Sequence, residues 1–185
     1  NGDRNNAVDD TVAVEFNALV TNTSGNTDGA SLKNTAKASY TGGTASGTAT
    51  VKITEPNITI TKAVSPTSNV QAGDALTYTV TVSNAAGRAD AFDLDLNDAL
   101  GNLGSNFDLR SVTLPGSLPP GTSSVINNSV TSGSSAATGD RIQLKIDRLN
   151  GGQSFSFTYK GVVLSAIQPG TTLTNTANVT YTGLP

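Results

Sequence analysis

Three residues of this chain have side chains that could react with one another, and each lies where an apolar residue is expected. Lys62 falls in "ITITKAV" (58–64) in phase with the isoleucines, Asp98 follows "AFDLDLN" in phase with its leucines, and Asn175 lies among the apolar positions of "LTNTANVTY". Side chains of a β-strand alternate between its two faces. The alternation therefore predicts that an amine, a carboxyl and an amide all point into an apolar core.

These three groups fit one particular reaction. Burying them unpaired would cost roughly 2–7 kcal/mol for a neutral polar group and more for a charge. An apolar pocket lowers the pKa of a lysine and raises that of a carboxyl, so the amine becomes a nucleophile and the acid a proton donor. The amine of Lys62 can then attack the side-chain carbonyl of Asn175, with Asp98 as proton shuttle and ammonia as the leaving group. The product is an amide cross-link between two strands, made once and without a cofactor.

Ordinary structural roles remain open for the same residues. Lys62 can extend its amine to solvent from the end of an edge strand, Asn175 can bond a backbone turn, and Asp98 can open the following loop. A β-bulge would also reverse any assignment of faces.

The elements that must position these residues are short strands. Strand-like alternation recurs between clusters of Gly, Asn, Ser and Pro, and a short helical turn is possible at residues 98–103 or 166–169. A Gly/Ser-rich stretch at residues 123–140 predicts a long loop or hairpin arm. The predicted strands are "TVAVEFNALV" (11–20), "SLKNTAKASY" (31–40), "TATVKIT" (48–54), "ITITKAV" (58–64), "ALTYTVTVSN" (75–84), "AFDLDLND" (91–98), "RIQLKID" (141–147), "SFSFTYKGVV" (154–163) and "TLTNTANVTY" (172–181).

Composition narrows the class of protein. Of the 185 residues 14% are charged and the net charge is −3, so no basic surface for nucleic acid or acidic membranes is expected. The chain has no Cys, Met, His or Trp, which excludes disulfides and removes the commonest metal ligands and general bases. No stretch is apolar enough to span a membrane. We therefore expect an extracellular, all-β, non-enzymatic protein, and the polar start "NGDRNNAVDD" suggests a mature or excised piece.

An internal repeat indicates the domain organisation. The segment "LKNTAKASYTG" (32–42) matches "LTNTANVTYTG" (173–183) at seven positions, with an offset of 141 positions (173 − 32), and the same offset sets Phe16 against Phe157. Residues 1–55 are thus predicted to be the C-terminal part of one repeat. Residues 56–185 are predicted to be the next repeat, lacking a counterpart of its last strand, with Pro56 at the boundary.

The first piece is too short to bury a sufficient core by itself. One hypothesis is that the incomplete repeats complete one another, within the chain or between copies by strand donation. The alternative is an arbitrary cut through a tandem array.

Four stretches resemble a known family. "ITITKAVSP", "GDALTYTVTVSN", "FDLDLNDAL" and "GTTLTNTANVTYTG" are similar to the conserved-repeat domain (domain of unknown function eleven) of prokaryotic surface proteins. They are also similar to its relatives, the isopeptide-forming domains of fimbrial subunits and adhesins. The resemblance covers residues 57–183, and residues 12–56 look like the end of a preceding copy.

The resemblance implies tandem immunoglobulin-like antiparallel β-sandwiches on a cell surface. In the isopeptide-forming relatives a lysine on the first strand joins an asparagine near the end, assisted by a central acid. The matching positions here are Lys62, Asn175 and Asp98. The family tends to carry "DxLP" after the central strand, whereas Asp98 is followed by "ALGN", so Asp93 and Asp95 stay open as the acid.

Three other sequence patterns give only weak indications of a binding or modification site. "DLDLND" (93–98) has a superficial calcium-loop spacing but lacks the glycine at its sixth position. Rows of threonine could form a flat ligand-binding face, although exposed threonine is ordinary on strands. The glycosylation-type triplets "NTS", "NIT", "NNS" and "NVT" are expected by chance in a chain so rich in Asn and Thr.

We therefore expect a structural or adhesive module of a surface protein or fibre, clamped by a Lys62–Asn175 bond and needing no cofactor or metal. Its expected partners are neighbouring repeats or copies of itself, and possible partners include a host or surface ligand. The alternatives are a self-assembling filament or surface-layer subunit completed by strand exchange, and a ligand-binding adhesin module. A turnover enzyme is not expected.

Overall fold

The computed structural model describes residues 13–21, 23–127 and 140–184. Within these ranges the chain forms ten β-strands and one 3-10 helix, η1, and every strand pairing is antiparallel. The elements are β1 (Ser31–Tyr40), β2 (Gly43–Lys52), β3 (Ile58–Ser65), β4 (Ala75–Asn84), β5 (Ala91–Ala99), η1 (Leu100–Asn106), β6 (Phe107–Thr113), β7 (Ser123–Asn127), β8 (Arg141–Leu149), β9 (Ser154–Val163) and β10 (Ala177–Thr182). The expectation of an all-β, antiparallel protein is confirmed.

Two four-stranded sheets enclose one core. The first has the order β3-β4-β9-β6 and the second the order β10-β5-β8-β7. Strict alternation in the central strands supplies the apolar side chains, since every second residue of β4 from Leu76 onward is buried. The largest fully buried side chains come from both sheets and η1: Tyr159, Phe107, Phe157, Leu94, Leu96, Leu100, Leu103, Ile142, Leu144, Ile146, Leu149 and Val80.

Strands β1 and β2 form a separate two-stranded hairpin. They pair from Ser31↔Lys52 to Tyr40↔Gly43, and all twenty residues are exposed. The turn contains Gly42 at φ 105°, a conformation that favours glycine. Polar and apolar side chains alternate, so one face is Ser, Thr and Lys. The other face carries Leu32, Asn34, Ala36, Ala38, Tyr40, Gly43, Ala45, Gly47, Ala49 and Val51.

Several predicted strands differ from the observed ones. Residues 13–20 form no strand and are exposed, so the strand predicted at residues 11–20 is wrong over its described part. The strand predicted at residues 172–181 begins only at Ala177. Strand β6 was not predicted, because it lacks clean alternation. Strand β7 lies at the start of the stretch predicted as a long loop or hairpin arm, and it pairs with β8 as a hairpin arm would. Residues 128–139 of that stretch lie outside the described residues.

Strand β5 is irregular near its start. Asp93 has φ 50° and is exposed, and Ala91 is fully buried while Phe92 is only half-buried. Strict alternation of "AFDLDLN" would place Phe92 on the core face with the leucines, and this irregularity prevents it. Beyond this irregularity Leu94, Leu96 and Asp98 all point inward. No helix in the described ranges is both long and apolar enough to cross a membrane.

Candidate functional site

Lys62 lies in the middle of β3, at the edge of the first sheet. Its alternate neighbours on β3 are half-buried isoleucine and valine residues, and its own side chain is only 12% exposed. The ammonium group does not extend to solvent. Lys62 Nζ lies 2.6 Å from both carboxylate oxygens of Asp98, so the amine points across the sandwich towards the second sheet.

Asp98 lies near the end of β5, a central strand of the second sheet, and its side chain is fully buried. It pairs in register with Ala177 of β10 on one side and with Ile142 of β8 on the other. Because strands on both sides fix the backbone of β5, the carboxylate is held at a defined position between the two sheets. A buried ion pair of this kind has to be tightly hydrogen-bonded to offset its desolvation.

Asn175 lies two residues before β10, in an unpaired stretch that leads into that strand. Its side-chain Nδ2 donates to Asp98 Oδ1 at 2.9 Å and to the Tyr159 hydroxyl at 2.6 Å. Its Oδ1 is buried and has no hydrogen-bond partner among the described residues. Buried polar atoms are almost always paired, so this oxygen needs an explanation.

Two tyrosines form one wall of the site. The rings of Tyr78 and Tyr159 stack at 4.9 Å between centroids, and Lys62 Nζ lies 5.2 and 5.3 Å from them. Phe107 packs edge-on against Tyr78 at 5.7 Å. The rings enclose the amine in apolar surface while their negative faces favour a cation. Neither tyrosine was predicted from the sequence to belong to a site, although both occupy inward positions of alternating strands, β4 and β9.

The electrostatics of the site follow from its burial. Burial lowers the pKa of Lys62, and the hydrogen bond that Lys62 donates to Asp98 opposes that change. Burial also raises the pKa of Tyr159 far above its ordinary value, and the negative charge of Asp98 adds to this effect. The pKa of Tyr78 is raised for the same two reasons. The lysine is therefore easier to deprotonate than usual, while the phenol of Tyr159 keeps its proton.

The arrangement allows proton transfer between the amine and the amide. Asp98 contacts Lys62 and Asn175 at once, and those two residues belong to segments that lead into opposite sheets. Asp98 is the group that Lys62 and Asn175 both contact. A carboxylate in this position can accept a proton from one nitrogen and deliver one to the other.

The other candidate acids lie elsewhere. Asp93 is exposed, and the carboxylate of Asp95 accepts hydrogen bonds from Gln143 and Lys145 on the outer side of the second sheet. Within the described ranges no three His, Cys, Asp or Glu side chains are grouped to hold a metal ion. The contacts of β5 therefore favour Asp98 as the acid at this site.

No protein-family model matches the chain, and no curated protein matches it in sequence.

Proposed function

We propose that the chain is a structural or adhesive module of an extracellular surface protein or fibre, stabilised by an autocatalytic isopeptide bond between Lys62 and Asn175. The module turns over no substrate, because the reaction occurs once within each chain. The observation that carries the proposal is the position of Asp98. Its buried carboxylate accepts hydrogen bonds from both the Lys62 amine and the Asn175 amide.

The reaction balances without a cofactor. Asp98 first takes a proton from the Lys62 ammonium, and the lone pair of Nζ then forms a bond to the side-chain carbonyl carbon of Asn175. The carbonyl electron pair moves to Oδ1. Asp98 gives its proton to Nδ2 and takes one from the attacking nitrogen, and the pair on Oδ1 returns as the carbon–Nδ2 bond breaks. Ammonia leaves, and Asp98 ends as a neutral acid beside the new amide.

Burial supports this order of steps. The apolar surroundings lower the pKa of Lys62, which makes the neutral amine accessible. The reaction also replaces a buried ion pair by a neutral amide, and this removes the cost of keeping two charges away from water. The site is thus arranged so that its product is better suited to the core than its reactants.

The location of the bond would suit a load-bearing module. Lys62 lies on the first strand of the unit and Asn175 just before its last described strand. Tension applied to the ends of residues 57–184 would pass through the amide, so that residues 63–174 would lie outside the loaded path. A chain without cysteine would obtain in this way the mechanical strength that other secreted proteins obtain from disulfides.

We further propose that the two sheets are an immunoglobulin-like sandwich and that residues 1–55 belong to a preceding repeat. Support for the sandwich comes from the two facing antiparallel sheets, between which successive strands cross. Support for the repeat comes from β1, which matches the segment ending in β10 with an offset of 141 positions and likewise carries an asparagine, Asn34, on its apolar face.

The test is the intact mass of the purified chain, measured to single-dalton accuracy. The proposal predicts a mass lower than the sequence mass by one ammonia, and it predicts that Lys62→Ala and Asn175→Ala both restore the sequence mass. Matched controls are Lys160→Ala and Asn178→Ala, which change exposed residues of the same types on β9 and β10. The full sequence mass in the unaltered chain would refute the bond.

A second candidate function is a self-assembling filament or surface-layer subunit, and the β1–β2 hairpin favours it. Its apolar face is exposed, whereas the matching residues Ala177 and Val179 of β10 pack on the core of the sandwich. In this alternative, two copies exchange strands. Strand β1 of one copy then occupies, on the sandwich of a second copy, the position that β10 occupies within its own sandwich.

Light scattering coupled to size exclusion would separate this alternative from a monomeric spacer. Ala38→Asp would place a charge on the apolar face of the hairpin, and Ser39→Asp would place it on the polar face of the same strand. Self-assembly through the apolar face predicts that only Ala38→Asp dissociates the oligomer. A monomer at high concentration in the unaltered chain would count against assembly.

A further inference from the structure

The side chain of Asn175 is oriented for a state of the site that precedes reaction. Its Nδ2 donates to Asp98 Oδ1 and to the hydroxyl oxygen of Tyr159, while its Oδ1 is buried without a partner among the described residues. An ionised carboxylate only accepts hydrogen bonds, so it selects the amide orientation that presents N–H groups. This orientation therefore belongs to the ion pair of Lys62 and Asp98.

Proton transfer from Lys62 to Asp98 changes which atom of the Asn175 amide is best placed towards Asp98 and Tyr159: an acceptor instead of a donor. Protonated Asp98 has an O–H to donate, and the hydroxyl of Tyr159 is also a donor. A half-turn about the terminal torsion of Asn175, which has a broad and roughly two-fold energy profile, exchanges Oδ1 and Nδ2. Oδ1 would then lie where Nδ2 lies now, 2.9 Å from Asp98 Oδ1 and 2.6 Å from the Tyr159 oxygen. Both separations are normal for O–H···O hydrogen bonds.

We propose that Tyr159 is a catalytic residue of this reaction, whose hydroxyl donates to Asn175 Oδ1 and stabilises the negative charge that develops there when Lys62 attacks. The inference rests on the proposed isopeptide bond and adds an electrostatic donor to it. Tyr159 transfers no proton. The electron pair that moves to Oδ1 is held by the hydrogen bond and returns when ammonia leaves.

The surroundings of Tyr159 suit this role. It lies on β9, which is paired with β4 on one side and with β6 on the other, and its ring stacks on Tyr78. A donor held by a rigid central strand needs no reorganisation when the charge appears. Burial raises its pKa, so the phenol keeps its proton across the range in which Lys62 reacts.

The test is the rate of ammonia loss after refolding. The full chain is recovered unfolded in urea, diluted into buffer at neutral pH, and followed by intact mass, with circular dichroism reporting the refolding. Tyr159→Phe removes the hydroxyl and keeps the ring, and it should slow the loss of ammonia about 10²-fold, the usual effect of removing one donor of this kind. Tyr181→Phe removes the hydroxyl of an exposed tyrosine and should leave the rate unchanged.

The outcomes separate the two proposals. If the unaltered chain has its full sequence mass both in urea and after refolding, the isopeptide bond is refuted and the role of Tyr159 is refuted with it. If Tyr159→Phe refolds and loses ammonia at the unaltered rate, the role of Tyr159 is overturned while the bond stands. If Tyr159→Phe does not refold, fluorotyrosine at position 159 replaces it. A more acidic phenol should then accelerate the reaction, and an unchanged rate would overturn the role.

Discussion

Lys62 and Asp98 lie on strands of opposite sheets, yet Lys62 Nζ is 2.6 Å from each carboxylate oxygen of Asp98. The pair joins the two halves of the sandwich through its core. In most proteins a buried pair of this kind adds little net stability, because desolvation offsets the attraction. Here Asp98 of the pair also accepts a hydrogen bond from Asn175, which is the arrangement that the proposed cross-link requires.

Loss of the cross-link should lower stability strongly. Asn175→Ala leaves the ion pair in place and removes only the amide that Lys62 would attack. In the chain-entropy model, opening a covalent loop of this length costs about 4–5 kcal/mol, which corresponds to roughly 10–20 °C in melting temperature for a chain of this size. Differential scanning calorimetry and a protease time course would measure the change. A melting temperature equal to that of Asn178→Ala would contradict the stabilising role.

Lys62→Ala should be at least as damaging. It removes the cross-link and also leaves the carboxylate of Asp98 buried without its counter-ion, a loss that typically costs about 3–5 kcal/mol. The prediction is a sharply lower melting temperature and rapid proteolysis. Unchanged protease resistance would show that the clamp does not stabilise the unit.

Replacing the acid should stop the reaction. Asp98→Asn keeps the size of the side chain but removes the group that exchanges protons, so the chain should have its full sequence mass. Asp93→Asn and Asp95→Asn, at the alternative positions, should retain the ammonia deficit. Asp108→Asn changes another fully buried, ion-paired carboxylate and controls for general loss of stability. A deficit that persists in Asp98→Asn would assign the acid elsewhere.

The rate of cross-linking should fall at alkaline pH. The proton that Lys62 hands to Asp98 is the one that Asp98 later gives to the leaving nitrogen, so the rate should fall at high pH, where Lys62 has lost that proton. The alkaline limb reports loss of the last proton from Lys62, whose pKa burial lowers from 10.5. We therefore expect that limb below pH 10.5. Refolding at a series of pH values, followed by intact mass, would measure it, and a rate still rising above pH 10.5 would contradict it.

The same pKa shift predicts how the unreacted fold responds to pH. Folded Lys62 binds its proton less tightly than unfolded Lys62, so between the lowered pKa and 10.5 the unfolded state holds more protons. The stability of Asn175→Ala should therefore rise with pH across that window. Urea denaturation at a series of pH values would give the stability of Asn175→Ala and of the double variant Asn175→Ala, Lys62→Met. The difference between their slopes of stability against pH is the contribution of Lys62. Equal slopes in the two variants would refute it.

Close packing beneath the tyrosine wall should also matter. A Cβ added at Gly161 of β9 would collide with the ring of Phe107 and lie 2.6 Å from the backbone oxygen of Asp108. Phe107 packs against Tyr78, so Gly161→Ala should disturb the wall around Lys62 as well as cost about 1–3 kcal/mol through overpacking. Gly47→Ala, in open space on β2, is the control. Unchanged stability and an unchanged rate of ammonia loss would contradict this prediction.

The alternation of apolar and polar residues along most strands could be predicted from the sequence alone. It predicts β4 and β9 with their observed bounds, and it places Lys62 and Asp98 on inward faces, where the structure also has them. This works because successive side chains of a strand point to opposite sides whatever the strand pairs with. Where the backbone departs from regular alternation, as at Asp93 and in β6, the sequence pattern did not predict the strand or its inward face.

The sequence by itself determined that Lys62 and Asp98 face the core, but only the tertiary structure decided which side chains contact one another there. Lys62 and Asn175 are far apart in the chain, and their common contact with Asp98 depends on how two sheets stack, which no local pattern encodes. The same stacking brings Lys62 to Asp98 and brings the Tyr159 hydroxyl to the Asn175 amide. The direction in which a side chain points follows from the geometry of its own strand, whereas its contacts follow from the packing of the whole core.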